Sequence, residues 1–174
     1  QQEHASDIYA VIIDKKLHDL NYRPKHSGEI SFVYADSEIG KMIYERTMTF
    51  VFIAAVHALY PNTPLTIQHA LSSGHYCEIA RKPFLTPHDV TTIRAKMEEI
   101  IAHQEEITRT VVDTAQAIAH FEACGMENKA ALLRQRKSKK SSVYSLCGCE
   151  DYFYGILLPH AGYITHFSLR YYAP

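Results

Sequence analysis

Hydrophobic and polar positions change their spacing several times along the chain, and each change marks an element. Apolar runs at residues 8–13, 17–20 and 30–34 are short and are separated by polar turns containing Lys15, Lys16, Pro24 and Gly28, which predicts brief strands. Past residue 37 the period lengthens to about 3.6, with Ile39, Met42, Ile43, Arg46, Phe50, Ile53, Ala54 and His57 on one stripe. Asp36-Ser37 offers a side-chain oxygen to the free amides of a first helical turn, and Pro61 ends the pattern. A long helix up to about Tyr60 is expected, its apolar face interrupted by Arg46. Residues 65–70 and 75–79 are strand-like on either side of Leu71-Ser72-Ser73-Gly74, a hairpin pattern.

Thr86-Pro87-His88-Asp89 joins a cap, a proline at the first helical position and a first-turn acid. The helix it opens runs from Asp89 to about His103, with Val90, Ile93, Met97, Ile100 and Ile101 on one side. A strand at residues 107–112, a helix capped by Asp113 with Ala117, Ile118 and Phe121 inward, and a short helix at residues 128–133 come next. Residues 142–146, 152–158 and 163–171 alternate as antiparallel strands do. Strands and helices thus alternate without regular βαβ spacing. The expected class is α+β, a mostly antiparallel sheet packed with a long helix and further helices and preceded by a small β piece.

Size makes the small β piece dependent. The 174 residues, 47% hydrophobic and 21% charged, suffice for one substantial core or two small ones, whereas about 35 residues fall below the ~40 at which a domain usually stands alone. That piece leans on the helices and strands C-terminal to it or is the end of a larger module. The net charge of −1 is spread along the chain, which argues against a nucleic-acid partner for the whole molecule. Cys77, Cys124, Cys147 and Cys149 form no disulfide framework, so reduced thiols and a cytoplasmic location are expected. Residues 1–6 are polar and predict no secretory leader. The apolar stretch 47–60 is shorter than the ~20 residues of a membrane span, and no membrane partner is expected.

Known catalytic spacings are absent. Gly40-Lys41 is preceded at position 35 by Ala35 and followed by Met42, so it is no phosphate-binding loop, and no Gly-x-Ser-x-Gly, His-Glu-x-x-His or Cys-x-x-Cys occurs. Among eleven histidines no two lie four apart on a helix. His69 and His75 flank the hairpin loop, and Cys147 and Cys149 share a side if their segment is a strand. A metal site assembled from these is set against the reading we adopt, surface histidines and packed thiols. Residues 134–140 hold five cations in seven positions. They are read as a solvated loop, because no aromatic residues interleave to stack bases; phosphate-backbone binding is the alternative. Tyr144, Tyr152, Phe153, Tyr154, Tyr163, Phe167, Tyr171 and Tyr172 are either sheet core or the lining of a polar cleft.

Several stretches resemble the second additional domain of threonyl-tRNA synthetase: His57-Ala58-Leu59-Tyr60-Pro61, the hairpin at 67–79, Leu85-Thr86-Pro87-His88-Asp89-Val90, and the ending at 151–169. Order and spacing agree over about residues 37–170. Ala10-Val11-Ile12-Ile13-Asp14-Lys15-Lys16-Leu17 through Val33 resembles the tail of the ubiquitin-like TGS domain that precedes it there. The resemblance implies a TGS-like tail over residues 1–35 and an additional-domain-like unit over 36–174. In the synthetase this domain edits mischarged serine with His-x-x-x-His on the long helix and Cys-x-x-x-His near the C-terminus. Counted from Pro61, Asp151 and Gly155, those positions hold Arg46, Phe50, Phe153 and Leu157. Guanidinium, phenyl and isobutyl groups offer a metal no lone pair, so neither a metal nor a catalytic residue is expected.

Closer still is the version found in uridine kinase-like proteins of the phosphoribulokinase/uridine kinase family, ahead of a P-loop kinase domain. Tyr76-Cys77-Glu78-Ile79, Asp151-Tyr152-Phe153-Tyr154-Gly155, and Gly162-Tyr163 with His166-Phe167 are similar to it. That similarity implies an N-terminal fragment whose partner is its own C-terminal kinase domain, with ATP and Mg as the parent's cofactors and uridine or a related nucleoside as substrate. A cleft persisting at the old metal site has Arg46, Phe50, His69, Tyr76, Tyr152, Phe153 and Tyr154 as its expected lining. Arg46 there holds a small anionic ligand, snorkels to solvent, or pairs with an acid such as Glu78 or Asp151. Three readings result: an accessory or ligand-sensing domain, a trans-acting tRNA deacylase, and an interaction module forming a homo-oligomer.

Overall fold

The computed structural model describes residues 7–71 and 74–172, with the side chains of 69–71 outside that description. The class is α+β, and the antiparallel pairing falls into three small sheets. Strand β1 (Ile8–Ile13) is central to the first, flanked by β2 (Lys16–His18) and β3 (Ile30–Tyr34). Asp14 and Lys15 both take positive φ, 48° and 64°, and Ile13 pairs with Lys16, so the two make a tight hairpin turn. Lys16 therefore begins β2 rather than lying in the turn, and β2 stops at His18.

Helix α1 (Glu38–Leu59, 22 residues) is started by Ser37, whose Oγ accepts from the Gly40 amide at 3.0 Å. Gly40 is required by proximity: a β-carbon there would lie 2.1 Å from the Tyr34 carbonyl oxygen, so the helix can begin directly against the end of β3. By length and composition α1 would pass for a membrane span, but one face is core. Buried on it are Ile43, Thr47, Phe50, Val51, Ala54, Ala55 and Val56, whereas Ile39 and Met42 are exposed. The buried stripe is thus rotated from the expected one, and half-buried Arg46 lies at its edge. Thr47 causes the difference. Its hydroxyl donates to the Ile43 carbonyl at 2.8 Å and accepts from the Leu158 amide at 3.0 Å, so a polar residue fits the core centre.

Strands β4 (Leu65–Leu71) and β5 (Gly74–Ile79) form the hairpin; its connecting pair, Ser72 and Ser73, lies outside the described residues. Helix α2 (Pro87–Ala102) has the expected capping box between Thr86 and Asp89. Asp89 also accepts from the Tyr60 hydroxyl at 2.9 Å and from Arg81 at 3.0 Å, which joins the start of α2 to the end of α1. Then come β6 (Thr108–Asp113), α3 (Thr114–Ala123), α4 (Glu127–Arg134), β7 (Lys140–Leu146) and β8 (Cys149–Tyr152), with sheet order β6-β7-β8.

The C-terminal third departs from its alternating pattern. Cys147 and Gly148, at φ 50° and 75°, form the β7–β8 turn, so β8 precedes the strand expected at 152–158. Residues 153–160 and 164–171 lie in no strand. Side chains from the helices replace a neighbouring strand. The Tyr44 hydroxyl accepts from the amides of Thr165 (3.1 Å) and His166 (2.8 Å) and donates to the His166 carbonyl (2.7 Å), while Arg94 donates to the Leu169 carbonyl (2.8 Å). Ile156, Leu157 and Leu158, buried in succession, close the main core, which also takes in Tyr9, Ala10 and Val33 of the first sheet. A smaller core of Ala117, Phe121, Ala130, Leu133 and Val143 lies under α3 and α4.

Candidate functional site

The residues expected to line one cleft are divided by the alternation of an extended chain. Tyr152 and Tyr154 fall to one side and Phe153 to the other. Arg136 lies over the rings of Tyr152 (5.2 Å) and Tyr154 (5.6 Å), and its Nη1 donates to the Tyr152 hydroxyl at 2.5 Å. Both tyrosines therefore leave the cleft. Tyr76 leaves it too, meeting the Tyr172 ring edge-on at 5.7 Å. His75, its neighbour on β5, falls on the opposite face and lines the pocket instead. The side chain of His69 is outside the described residues.

What the structure does bring together is a pocket of about 260 Å³ lined by Met42, Glu45, Arg46, Thr49, Ile67, His75 and Phe153. Phe153 is held edge-on by Phe50 (5.2 Å between ring centres) and by Tyr144 (6.2 Å). Phe50 is fully buried beneath it and Leu157 is buried as well. At the four positions where the synthetase resemblance implies metal ligands stand two rings in contact, a buried aliphatic side chain and a guanidinium, a donor set that does not fit a metal. Among the described residues no group of three or more His, Cys, Asp or Glu could hold a metal ion. Cys147 and Cys149 do not share a face: Cys147 is exposed in its turn, while Cys149 is buried, which pushes its thiol up to about 11.

Arg46 is the pocket's distinctive group. Its guanidinium lies on Gly155, where a β-carbon would stand 2.7 Å from Nη1 and 3.0 Å from Cζ. Gly155 sits at φ +114°, a conformation open to glycine alone, and its carbonyl is tied by the Tyr144 hydroxyl at 2.9 Å. Burial pushes that phenol up to about 12, so it stays a donor. The acids expected as partners are engaged elsewhere. Glu78 accepts from Gln68 at 2.6 Å, and Asp151 pairs with Lys129. Among the described residues Arg46 makes no ion pair.

A second pocket, about 310 Å³, is lined by Tyr9, Ala35, Lys41, Tyr44, Glu45, Thr165 and His166 and shares Glu45 with the first. Sequence reasoning missed it, since its walls are separated by more than 100 positions and no motif links them. The basic stretch is largely spoken for: Arg134 pairs with Glu122 and Glu127, Lys140 with Asp113, and Arg136 with the tyrosines. Lys137 and Lys139 make no ion pair among the described residues.

No protein-family model matches the chain. It is similar to threonine–tRNA ligases: that of Desulfovibrio desulfuricans is 36% identical over 132 residues, covering 75% of this chain and 20% of the ligase. The ligase of Acidiphilium cryptum is 36% identical over 130 residues, with the same two shares. That of Saccharophagus degradans is 27% identical over 166 residues, 95% of this chain and 26% of the ligase. The chain spans a fifth to a quarter of the length of these curated relatives. Over most of its length, then, it is similar to one region of threonine–tRNA ligases.

Proposed function

We propose that this chain is a non-catalytic, ligand-sensing domain derived from a threonyl-tRNA synthetase-like editing domain. One observation carries the reading: a Phe50–Phe153 ring contact occupies two of the four positions implied as metal ligands, and Arg46 at its rim makes no ion pair among the described residues. Hydrolysis of an aminoacyl ester needs an activated water, from a metal or a positioned base. Arg46, Phe50, Phe153 and Leu157 supply neither, and the pocket's two basic groups, Glu45 and His75, are exposed with no side-chain hydrogen bond among the described residues to position them. Purified protein should contain no stoichiometric zinc and should leave mischarged seryl-tRNA intact. Zinc at one equivalent together with deacylation would overturn the reading.

The wider setting we propose is a uridine kinase-like protein, with residues 1–35 as the end of a TGS-like domain, ATP and Mg serving a downstream kinase domain, and a cytoplasmic location. Support comes from the sequence resemblance at 76–79, 151–155 and 162–167; the similar ligases bear on the domain rather than on this setting. The coding sequence tests it. Gly-x-x-x-x-Gly-Lys-Ser/Thr soon after residue 174 is expected, and its absence refutes the kinase context. A second reading, self-association, is favoured by Ile30 (54% exposed) and Phe32 (50% exposed) on edge strand β3. A strictly monomeric protein in concentrated sedimentation runs would remove it.

A further inference from the structure

We infer that the Arg46 pocket binds a small monocarboxylate carrying an apolar body, an assignment that rests on the non-catalytic reading and names its ligand. The first support is the state of Arg46. A guanidinium presents its N–H donors as a planar fork that matches a carboxylate, and this one lies against the Gly155 backbone with no acid partner among the described residues. Gly155 is the positioning residue: any β-carbon there would displace the fork. Tyr144, donating to the Gly155 carbonyl, keeps that platform in place.

The second support is the charge of the walls. Glu45 lines the same pocket and makes no ion pair among the described residues, so the site offers one fixed cation beside one fixed anion. A monocarboxylate keeps its one charge at the fork and turns an uncharged end toward Glu45, whereas hydrogen phosphate carries charged oxygens on every side and loses more hydration against a largely apolar wall. The third is the rest of the lining. Met42, Ile67 and Phe153 form an apolar wall, with Met42 adaptable in shape and Phe153 fixed between Phe50 and Tyr144. At about 260 Å³ the pocket falls just below the roughly 300–1,000 Å³ of sites for drug-sized ligands, so the group it admits is small.

The test is a titration followed by NMR at the methyl groups of Met42 and Ile67, using the whole chain at pH 8, where an ordinary imidazole is neutral. Benzoate is the probe, with acetate and inorganic phosphate as comparisons. Saturable shifts at both methyls are expected with benzoate at a dissociation constant of about 1 mM, with weaker binding of acetate and none of phosphate. Arg46→Met should weaken benzoate at least about tenfold, and Gly155→Ala should weaken it as well. Arg46→Lys keeps the charge and most of the stem, so weakened binding in that variant at unchanged melting temperature isolates the role of the fork. No saturable shift with benzoate in folded protein, equal binding by Arg46→Met, or tighter binding of phosphate would each overturn the assignment. Failure here without zinc or deacylation sinks only the ligand; zinc with deacylation sinks the function reading itself.

Discussion

Removing Lys129 should make the stability of this protein depend on pH in a direction the structure dictates. Asp151 is 3% exposed, and its carboxylate has two supports, the Lys129 ammonium and the Tyr152 amide at 2.6 Å. Burial raises its pKa above the ordinary 3.8, and Lys129 opposes that rise. Between the unfolded value and the raised folded value the native state binds more protons than the unfolded state. Stability contributed by this group therefore falls as pH rises through that window. Lys129→Met keeps most of the stem but strands the charge, which should cost about 3–5 kcal/mol at pH 8. The loss should shrink as pH falls toward 4, because a protonated carboxyl carries no charge to strand. Adding Asp151→Asn removes the charge while its amide oxygen still accepts from Tyr152, and most of the loss at pH 8 should return. Urea unfolding of the three proteins at several pH values measures all of this. A single-variant loss below about 0.5 kcal/mol, or one equal at pH 5 and pH 8, would refute the buried-pair argument.

Thr47→Val should cost about 1–3 kcal/mol in urea unfolding, because it leaves the Leu158 amide buried without an acceptor, while Thr47→Ser should cost less. Thr86→Ala removes one half of the α2 capping box and should cost about 1 kcal/mol by the same assay. The Asp89 carboxyl, held well below its usual range by hydrogen bonds from Thr86 and then Tyr60, gives stability that is present above the ordinary carboxylate pKa and lost as pH falls below it. Asp89→Asn should flatten that acid limb. In thiol labelling at pH 8, exposed Cys124 should react fast and Cys149, buried with its thiol pushed up to about 11, only on unfolding.

Helix ends and hairpins were legible in the sequence because their signals are local. Ser37, Thr86 and Asp113 each cap the helix expected of them. Residues 152–171 were not legible, because alternation there marks extended backbone and says nothing of what pairs with it. Pairing there comes from one antiparallel bridge between Glu106 and His160 and from Thr47, Tyr44 and Arg94, side chains 75 to 122 positions away. A turn containing Lys15 was expected, but its two-residue form at Asp14-Lys15 and the turn at Cys147-Gly148 escaped for a related reason: three of the four residues are not glycine yet sit at positive φ.

The same distinction governs the site. Counting from motifs put Arg46, Phe50, Phe153 and Leu157 at equivalent places, and the Phe50–Phe153 contact shows that two of them meet across α1 and the chain after β8. Which further residues share their pocket depended on face: Tyr152 and Tyr154 alternate with Phe153 and meet Arg136, and on β5 His75 alternates with Tyr76 and lines the pocket in its place. Because the helical stripe put Arg46 mid-face, it was expected to hold an anion, pair with an acid or snorkel to solvent. Thr47 took that central place, and Arg46 moved to a rim where a glycine platform and partial solvent contact hold a cation without an acid. An arginine that needs no partner to be tolerated remains available to a ligand, and that availability separates an anion pocket from a repaired remnant of a metal site.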